Sequence, residues 1–165
     1  DYRSRFDALT GLLNRRAFLE RAERELKLKL RHGRPLTLVM ADIDHFKQIN
    51  DHHGHFAGDE VLKSIAEKFR DCFRNIDLVC RWGGEEFIFL LPETSLRQAE
   101  DIVERMRQKL AAASLQVADR EFTITLTFGV TAVGDSIHAA IEAADEAMYR
   151  GKQAGRDRVV MSDSG

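Results

Sequence analysis

The sequence predicts a single α+β domain in which helices pack on a mixed or antiparallel central sheet of about five strands. Amphipathic helical stretches and short apolar stretches alternate along the whole chain of 165 residues. The apolar runs Leu78–Arg81 and Phe87–Leu91 flank Gly83-Gly84, which is the pattern of a hairpin and excludes a purely parallel sheet. The only two prolines, Pro35 and Pro92, lie where regular elements begin or end.

The first half of the chain predicts a helix, a strand and a second helix before the hairpin. Apolar residues recur at helical spacing from Asn14 to about Arg31, and His32-Gly33-Arg34-Pro35 ends that helix. Leu36–Ala41 is short and almost wholly apolar, which is typical of a buried strand. Helical spacing returns over Val61–Phe73.

The second half predicts two more helices and two more strands. Ser95 and Gln98 form a capping-box pattern ahead of a helix that carries apolar residues from Ile102 to Leu110. Phe122–Thr131 alternates apolar and other residues, which predicts a half-buried strand. A last helix and a last short strand follow over Ile137–Met148 and Arg158–Met161.

Size and composition are those of one globular domain with one core, covering residues 1–165. Hydrophobic residues make up 44%, which is enough for a sizeable core. A formal net charge of -2 gives no electrostatic support for general binding to nucleic acid, because such proteins carry a basic excess. No apolar run approaches the roughly 20 residues that span a bilayer.

The chain begins without an initiator methionine or a signal peptide, so we interpret it as a fragment of a longer regulatory protein. Residues 1–13 are expected to be a linker and an N-terminal motif, with any membrane span or sensor domain outside the fragment. Cys72 and Cys80 lie among apolar neighbours and are interpreted as core thiols rather than as a disulfide. This interpretation favours a reducing, cytoplasmic compartment.

Acidic residues follow the first strand and the hairpin turn. Asp42 and Asp44 are two apart in an extended segment, so their side chains are expected on the same face. Glu85 and Glu86 follow the paired glycines, and if the hairpin lies beside the first strand, three or four acidic groups converge. Carboxylates of this kind suit Mg²⁺. The alternative is a tight turn and a strand end whose acids are solvated.

Two further segments carry groups that suit a phosphorylated ligand. The polar run Lys47–Asp59 is rich in side chains that can read a base edge, although a capped helix start at Asp51 or Asp59 would explain the same residues. Its histidines lack the partners of a usual zinc site. Lys152 and Arg156 are four apart and would share a face if the last helix continues. On that face they would either bind phosphates or only complement the helix dipole.

The run Arg81–Phe87 closely resembles the defining motif of the GGDEF family, in its Gly-Gly-Glu-Glu-Phe form. Other stretches resemble motifs of the same family in the same order. They are Asp7–Arg16, Asp42–Asp51, Gly54-His55 with Gly58-Asp59, Asp145–Tyr149 and Lys152–Arg156. The resemblance covers nearly the whole chain, and it implies a palm-like α+β fold and the activity of a diguanylate cyclase, which joins two GTP molecules into cyclic di-GMP.

The resemblance also implies how the metal is held. Mg²⁺, with Mn²⁺ as a possible substitute, is implied to bind the carboxylates of Asp42 and Glu85 and the backbone carbonyl of Ile43, with Asp44 as a weaker candidate. Glu85 or Glu86 is implied to assist deprotonation of the ribose 3′-hydroxyl.

The substrate contacts implied by the resemblance come from both sides of the metal strand. Asn50 and Asp59 are implied to read the guanine, with His55 nearby. Lys47 is implied to act both in catalysis and in binding. The groups implied to hold the rest of GTP are the side chains of Lys47, Lys152 and Arg156, the backbone amides of His45 and Phe46, and the backbone at Gly84.

One domain is implied to hold one GTP, so two copies must face each other as a homodimer with near two-fold symmetry. The family's product-inhibition site is an Arg-x-x-Asp motif, and Arg74-Asn75-Ile76-Asp77 lies at the corresponding offset before Gly83. Cyclic di-GMP is therefore implied as both product and inhibitor, with no nucleic-acid partner.

Three other functions remain open from the sequence. A non-catalytic relative would bind GTP or cyclic di-GMP and signal by contact. A purine nucleotide cyclase of the same fold would make a monomeric cyclic nucleotide. A structural dimerisation module would not need so many polar residues around the acidic turn. The presence of Asp42, Lys47, Asn50, Asp59 and Glu85 together favours the diguanylate cyclase.

Overall fold

A computed structural model describes residues 4–163, which form five helices and seven strands. In chain order the elements are α1 (Arg15–His32), β1 (Leu36–Ile43), α2 (Phe46–His53), α3 (His55–Cys72), β2 (Leu78–Arg81), β3 (Glu86–Pro92), α4 (Leu96–Ala112), β4 (Leu115–Val117), β5 (Arg120–Phe122), β6 (Leu126–Ala132), α5 (Ile137–Gln153) and β7 (Arg158–Met161). Residues 1–3 of the expected linker lie outside the described part, whereas Leu13 bridges to Cys80 and joins its segment to the domain.

The main sheet has the strand order β2-β3-β1-β6-β7. β1 lies at its centre and pairs antiparallel with β3 and β6, while β7 pairs parallel with β6. The predicted α+β class, the number of strands in this sheet and the hairpin are therefore confirmed.

Helices cover both faces of the sheet, and β1 contributes to both cores. Val39 and Ala41 pack in a cluster with α3 and α4, whereas Leu38 and Met40 pack in a second cluster with α1 and α5. All eight residues of β1 are buried as a result. Because side chains alternate along a strand, Asp42 must face the α1 and α5 side.

The polar run predicted as a loop is mostly helical. α2 begins at Phe46, and Gly54, with a φ of 89°, separates it from α3. The alternative of a helix start capped by Asp51 or Asp59 is wrong, since both residues lie inside helices. Only Phe46 and Ile49 pack inward from α2, so its helical spacing is too sparse to recognise.

The predicted strand Phe122–Thr131 is two strands. β4 and β5 form a separate small hairpin whose turn, Ala118-Asp119, has φ values of 47° and 67°. β6 is buried on both faces rather than half-buried, because Thr127 and Thr131 lie under α5 instead of facing water.

The two cysteines are free thiols, with Cys80 in the core and Cys72 half-buried. Within residues 4–163, none of the helices has both the length and the apolar composition needed to cross a bilayer.

Candidate active site

Asp42 lies at the end of the central strand, between Glu86 on β3 and Thr127 on β6. Its residue surface is only 5% exposed, and Lys152 of α5 donates a hydrogen bond to Oδ2. Burial raises the pKa of Asp42 to about 6; Lys152 opposes this rise, while the charges of Glu85 and Glu86 add to it. Asp42 is thus a buried acid among other acids, which one lysine compensates only in part.

The hairpin turn lies directly beside the end of β1. The amide of Ile43 donates to the carbonyl of Glu85 at 3.2 Å, so the two backbones touch where the acidic residues meet. Burial raises the pKa of Glu86, and the charges of Asp145 and Glu85 contribute to that rise. The space around Gly84 is open, which leaves its backbone accessible to a ligand.

Two arginines hold the hairpin turn in place. Arg81 donates to the carbonyl of Gly84 at 2.8 Å and also pairs with Asp7 of the N-terminal motif. Arg15 donates to the carbonyl of Trp82 at 2.8 Å, and its guanidinium lies 4.0 Å from the centre of the indole ring. The position of the acidic turn therefore depends on residues near the start of the chain.

Asp44 shares the face of Asp42 but has different partners. Its Oδ1 accepts from the hydroxyl of Thr127 at 2.7 Å, and its Oδ2 accepts from the hydroxyl of Thr125 at 2.7 Å and from the amide of Asp157 at 3.0 Å. A buried carboxylate with three donors is well satisfied by the protein alone.

The charges of Glu85 and Glu86 raise the pKa of Asp42, so these three acids lie near one another, but they are not arranged as a ready-made ion site. Among residues 4–163, no three His, Cys, Asp or Glu side chains are grouped so that they hold an ion by themselves. The donors implied by the family resemblance are the carboxylates of Asp42 and Glu85 and the backbone carbonyl of Ile43, and the backbones of Ile43 and Glu85 are hydrogen-bonded to each other. This donor set fits Mg²⁺, which takes few protein ligands and completes its shell with water and substrate phosphates.

The residues expected to read the base lie where α2 meets α3. Asn50 packs so closely against Gly58 that a methyl group there would lie 1.9 Å from its Oδ1. That Oδ1 is buried and accepts no hydrogen bond from any residue between 4 and 163. An unpaired buried acceptor costs about 1–3 kcal/mol, so a donor from a ligand would be stabilising. Asp59, the residue after Gly58, and His55 are exposed beside it.

The residues expected to hold phosphates are placed around the same end of the sheet. His45 is the residue before α2 and has a left-handed φ of 58°, and Lys47 is exposed in the first turn. α5 ends at Gln153, so Lys152 and Arg156 do not share a helical face as they would if it continued. Lys152 reaches Asp42 instead, and Arg156 lies in a turn with a φ of 64°.

Arg74 and Asp77 lie at the other end of β3 from the acidic turn. Arg74 donates to both carboxylate oxygens of Asp77, and also to the carbonyl of Pro92 and the hydroxyl of Thr94. The side chain of Asp77 is 3% exposed and that of Arg74 is 50% exposed. The length of β3 separates this pair from Asp42 by about 20 Å, so the two are distinct sites.

Some residues that shape the site were not identified from the sequence. Asp157 and Arg107 form an ion pair at 2.7 Å beside Arg156, and Thr125 and Thr127 bind Asp44. Arg107 lies in α4, far away in the chain, and only its tertiary neighbours distinguish it from other surface arginines.

Comparison with known proteins identifies the family of the chain. Residues 4–158 match the model of the family described as diguanylate cyclase, GGDEF domain. Diguanylate cyclase DgcP of Pseudomonas aeruginosa is 47% identical over 155 residues, which is 93% of this chain and 23% of DgcP. The chain therefore spans about a quarter of that relative.

Solved structures have the same fold. The GGDEF domain of DgcB from Caulobacter crescentus, in complex with c-di-GMP, matches with a TM-score of 0.93 and 30% identity, over 99% of this chain and 97% of that one. Diguanylate cyclase SiaD from Pseudomonas aeruginosa, in complex with its activator SiaC, matches with a TM-score of 0.91 and 41% identity, over 96% of this chain and 62% of that one. The palm-like α+β fold is confirmed, and the chain belongs to the GGDEF-domain family of diguanylate cyclases.

Proposed function

We propose that this domain condenses two GTP molecules into cyclic di-GMP and releases two pyrophosphates. The proposal is carried by the end of β1, where Asp42 is buried beside the charges of Glu85 and Glu86. The buried amide oxygen of Asn50, which accepts no hydrogen bond from residues 4–163, supports it. The relatives named as diguanylate cyclases support the same activity.

A divalent ion, Mg²⁺ or Mn²⁺, held by Asp42, Glu85 and the carbonyl of Ile43, would lower the pKa of the ribose 3′-hydroxyl and neutralise charge on the leaving pyrophosphate. Lys152 would then leave Asp42 and grip the phosphates, since its amine is already at the site. Lys47, Arg156 and the backbone amides of His45 and Phe46 would hold the rest of the triphosphate.

In each half-reaction the 3′-oxygen of one GTP bonds to the α-phosphorus of the other, and the bond to the pyrophosphate oxygen breaks. Glu86 suits the role of accepting the 3′-hydroxyl proton because burial and neighbouring carboxylates raise its pKa. Glu85 is the alternative acceptor. Asn50 and Asp59 would pair with the guanine edge, with His55 beside them.

Each domain offers one nucleotide site, so catalysis requires two copies that face each other with two-fold symmetry. Cyclic di-GMP bound at Arg74 and Asp77 would hold the copies in another arrangement, which couples two distinct sites. This proposal is supported by the bidentate pair, whose arginine remains half exposed for stacking on a base.

Incubation with GTP and Mg²⁺, followed by chromatography of the products, tests the activity. Cyclic di-GMP that disappears when EDTA is added is the expected product. Cyclic GMP would instead indicate a monomeric cyclase, and tight nucleotide binding without any product would indicate a receptor.

Replacing Arg74 with alanine is expected to relieve product inhibition by about tenfold or more, with little change in the initial rate, because the ligand loses its bidentate partner. The measurement is the initial rate at increasing cyclic di-GMP. Arg74→Lys keeps the charge without the planar fork and should give intermediate inhibition. Unchanged inhibition in Arg74→Ala would remove the site.

Replacing Asp59 with alanine is expected to reduce the preference for GTP over ATP by about tenfold or more, because a carboxylate pairs with the two donors of a guanine edge. Titrations with both nucleotides measure this ratio. Glu67→Ala, an exposed change on the same helix, should leave the ratio unaltered. Equal selectivity in Asp59→Ala and the wild type would mean that the base is read elsewhere.

A further inference from the structure

The chain makes an unusual turn directly after α5. Arg156 and Asp157 are consecutive residues with φ values of 64° and 47°. Left-handed backbone crowds the Cβ atom of an ordinary residue. Outside a tight hairpin such as Ala118-Asp119, two consecutive residues in this conformation need neighbouring groups to hold them. The groups that hold this turn matter for function because Arg156 is a candidate phosphate ligand.

Side chains from three different elements bind the turn on both sides of Arg156. Asp157 donates its amide to Asp44 at 3.0 Å and accepts from Arg107 of α4 through its carboxylate at 2.7 Å. The backbone carbonyl of Arg156 accepts from the side chain of Arg158 at 2.9 Å. The backbone amide of Arg156 donates to the carbonyl of Gly151 at 3.0 Å.

Arg107 is oriented toward this turn by a second acid. Glu104, one turn earlier on α4, accepts from Nε and Nη2 of Arg107 at 2.8 Å each, which leaves Nη1 directed at Asp157. The side chain of Arg107 is only 18% exposed. A fork-shaped guanidinium bound on two sides is a rigid link between α4 and the turn.

Asp44 connects the turn to the catalytic strand. It is the residue directly after β1, two residues beyond Asp42, and its carboxylate is held by Thr125 and Thr127. Its Oδ2 is therefore a fixed acceptor for the amide of Asp157. The guanidinium of Arg156 makes no hydrogen bond or ion pair with any residue in the described range 4–163. The backbone of Arg156 is therefore fixed, while the guanidinium group of Arg156 is available to bind an anion.

We propose that Arg107, Asp157 and Asp44 form a clamp of positioning residues that presents Arg156 to the triphosphate of GTP. The clamp sets Arg156 at a constant distance from Asp42, because Asp44 directly follows β1 and its backbone is held on Thr125. None of the three clamp residues needs to touch the nucleotide. This inference rests on the proposed function, in which Arg156 is a phosphate ligand.

A double-mutant cycle tests the clamp with the domain of residues 1–165. Affinity for a non-hydrolysable GTP analogue in Mg²⁺ is measured by calorimetry for the wild type, Arg107→Ala, Arg156→Ala and the double variant. Arg107→Ala is expected to weaken binding about tenfold in the wild type but less than about twofold when Arg156 is already alanine, because coupled residues are not additive. Arg97→Ala, on the same helix, should leave binding unchanged.

Hydrogen exchange in the nucleotide-free protein gives an independent readout. The amide of Asp157 should exchange faster in Arg107→Ala than in the wild type, since the clamp holds it on Asp44. If Arg107→Ala fails to fold, Asp157→Gly replaces it, because glycine accepts the left-handed backbone while losing the carboxylate.

Equal losses of affinity in both backgrounds, or unchanged exchange at Asp157, would overturn the clamp while leaving the activity intact. A wild type that does not bind GTP, or an Arg156→Ala variant that binds it normally, would contradict the proposed phosphate contacts themselves. The two failures are therefore distinguishable.

Discussion

Replacing Glu85 with alanine is expected to lower the rate of cyclic di-GMP formation by about 10³-fold or more, because it removes one of the two carboxylates proposed to hold a divalent ion. Asp44 does not substitute for it, since its oxygens already accept hydrogen bonds from Thr125, Thr127 and Asp157. Glu85 contacts Ile43 through its backbone carbonyl, so loss of the Glu85 side chain leaves this contact and the strand pairing in place.

The measurement is initial rate at saturating GTP and Mg²⁺, together with thermal unfolding to show that the variant is folded. Glu67→Ala serves as the matched control, because it removes an exposed carboxylate from α3. Wild-type protein is assayed at the same concentration, so that any dependence of the rate on dimerisation affects both proteins equally. A folded Glu85→Ala variant with normal turnover would remove the metal assignment and, with it, the proposed mechanism.

Periodic apolar patterns were sufficient for the central part of the fold. β1 is wholly buried and the hairpin carries paired glycines, so both were recognised from local sequence. The two-residue spacing also placed Asp42 and Asp44 on one face correctly, because alternation along a strand depends only on backbone geometry. What it could not show is that one carboxylate meets Lys152 and the other meets the turn after α5.

The missed features depend on contacts between distant parts of the chain. α2 has few inward residues, and the turn Ala118-Asp119 lacks the usual hairpin residues. The left-handed turn at Arg156 and Asp157 contacts Arg107 of α4 and Asp44, and no local pattern contains that information. Local patterns therefore predict which residues are candidates for the site but not the contacts that position them.

Replacing Asp42 with asparagine is expected to abolish turnover and yet stabilise the nucleotide-free domain by about 1 to 3 kcal/mol near neutral pH. Burial raises the pKa of Asp42 from 3.8 to about 6, so the folded protein binds more protons than the unfolded chain between these pH values. The free energy of unfolding therefore falls as Asp42 ionises with rising pH between 3.8 and about 6, and the destabilisation by ionised Asp42 is fully present above pH 6. Asparagine removes the buried charge without changing the shape of the side chain.

Unfolding in denaturant at pH 5 and pH 7.5, for the wild type and Asp42→Asn, isolates this contribution from those of other groups. The stability advantage of the variant should be larger at pH 7.5 than at pH 5, because ionised Asp42 is then opposed by Glu85 and Glu86 as well as by burial. Lys152 loses its anionic partner, which limits the gain in stability, but its partly exposed amine can be solvated.

A GTP analogue with Mg²⁺ should raise the melting temperature of the wild type much more than that of the variant. A variant that is less stable than the wild type at both pH values would show that the Lys152 pair outweighs the cost of burying the acid. The pKa of Asp42 would then not indicate that a buried metal ligand lowers the stability of the nucleotide-free domain.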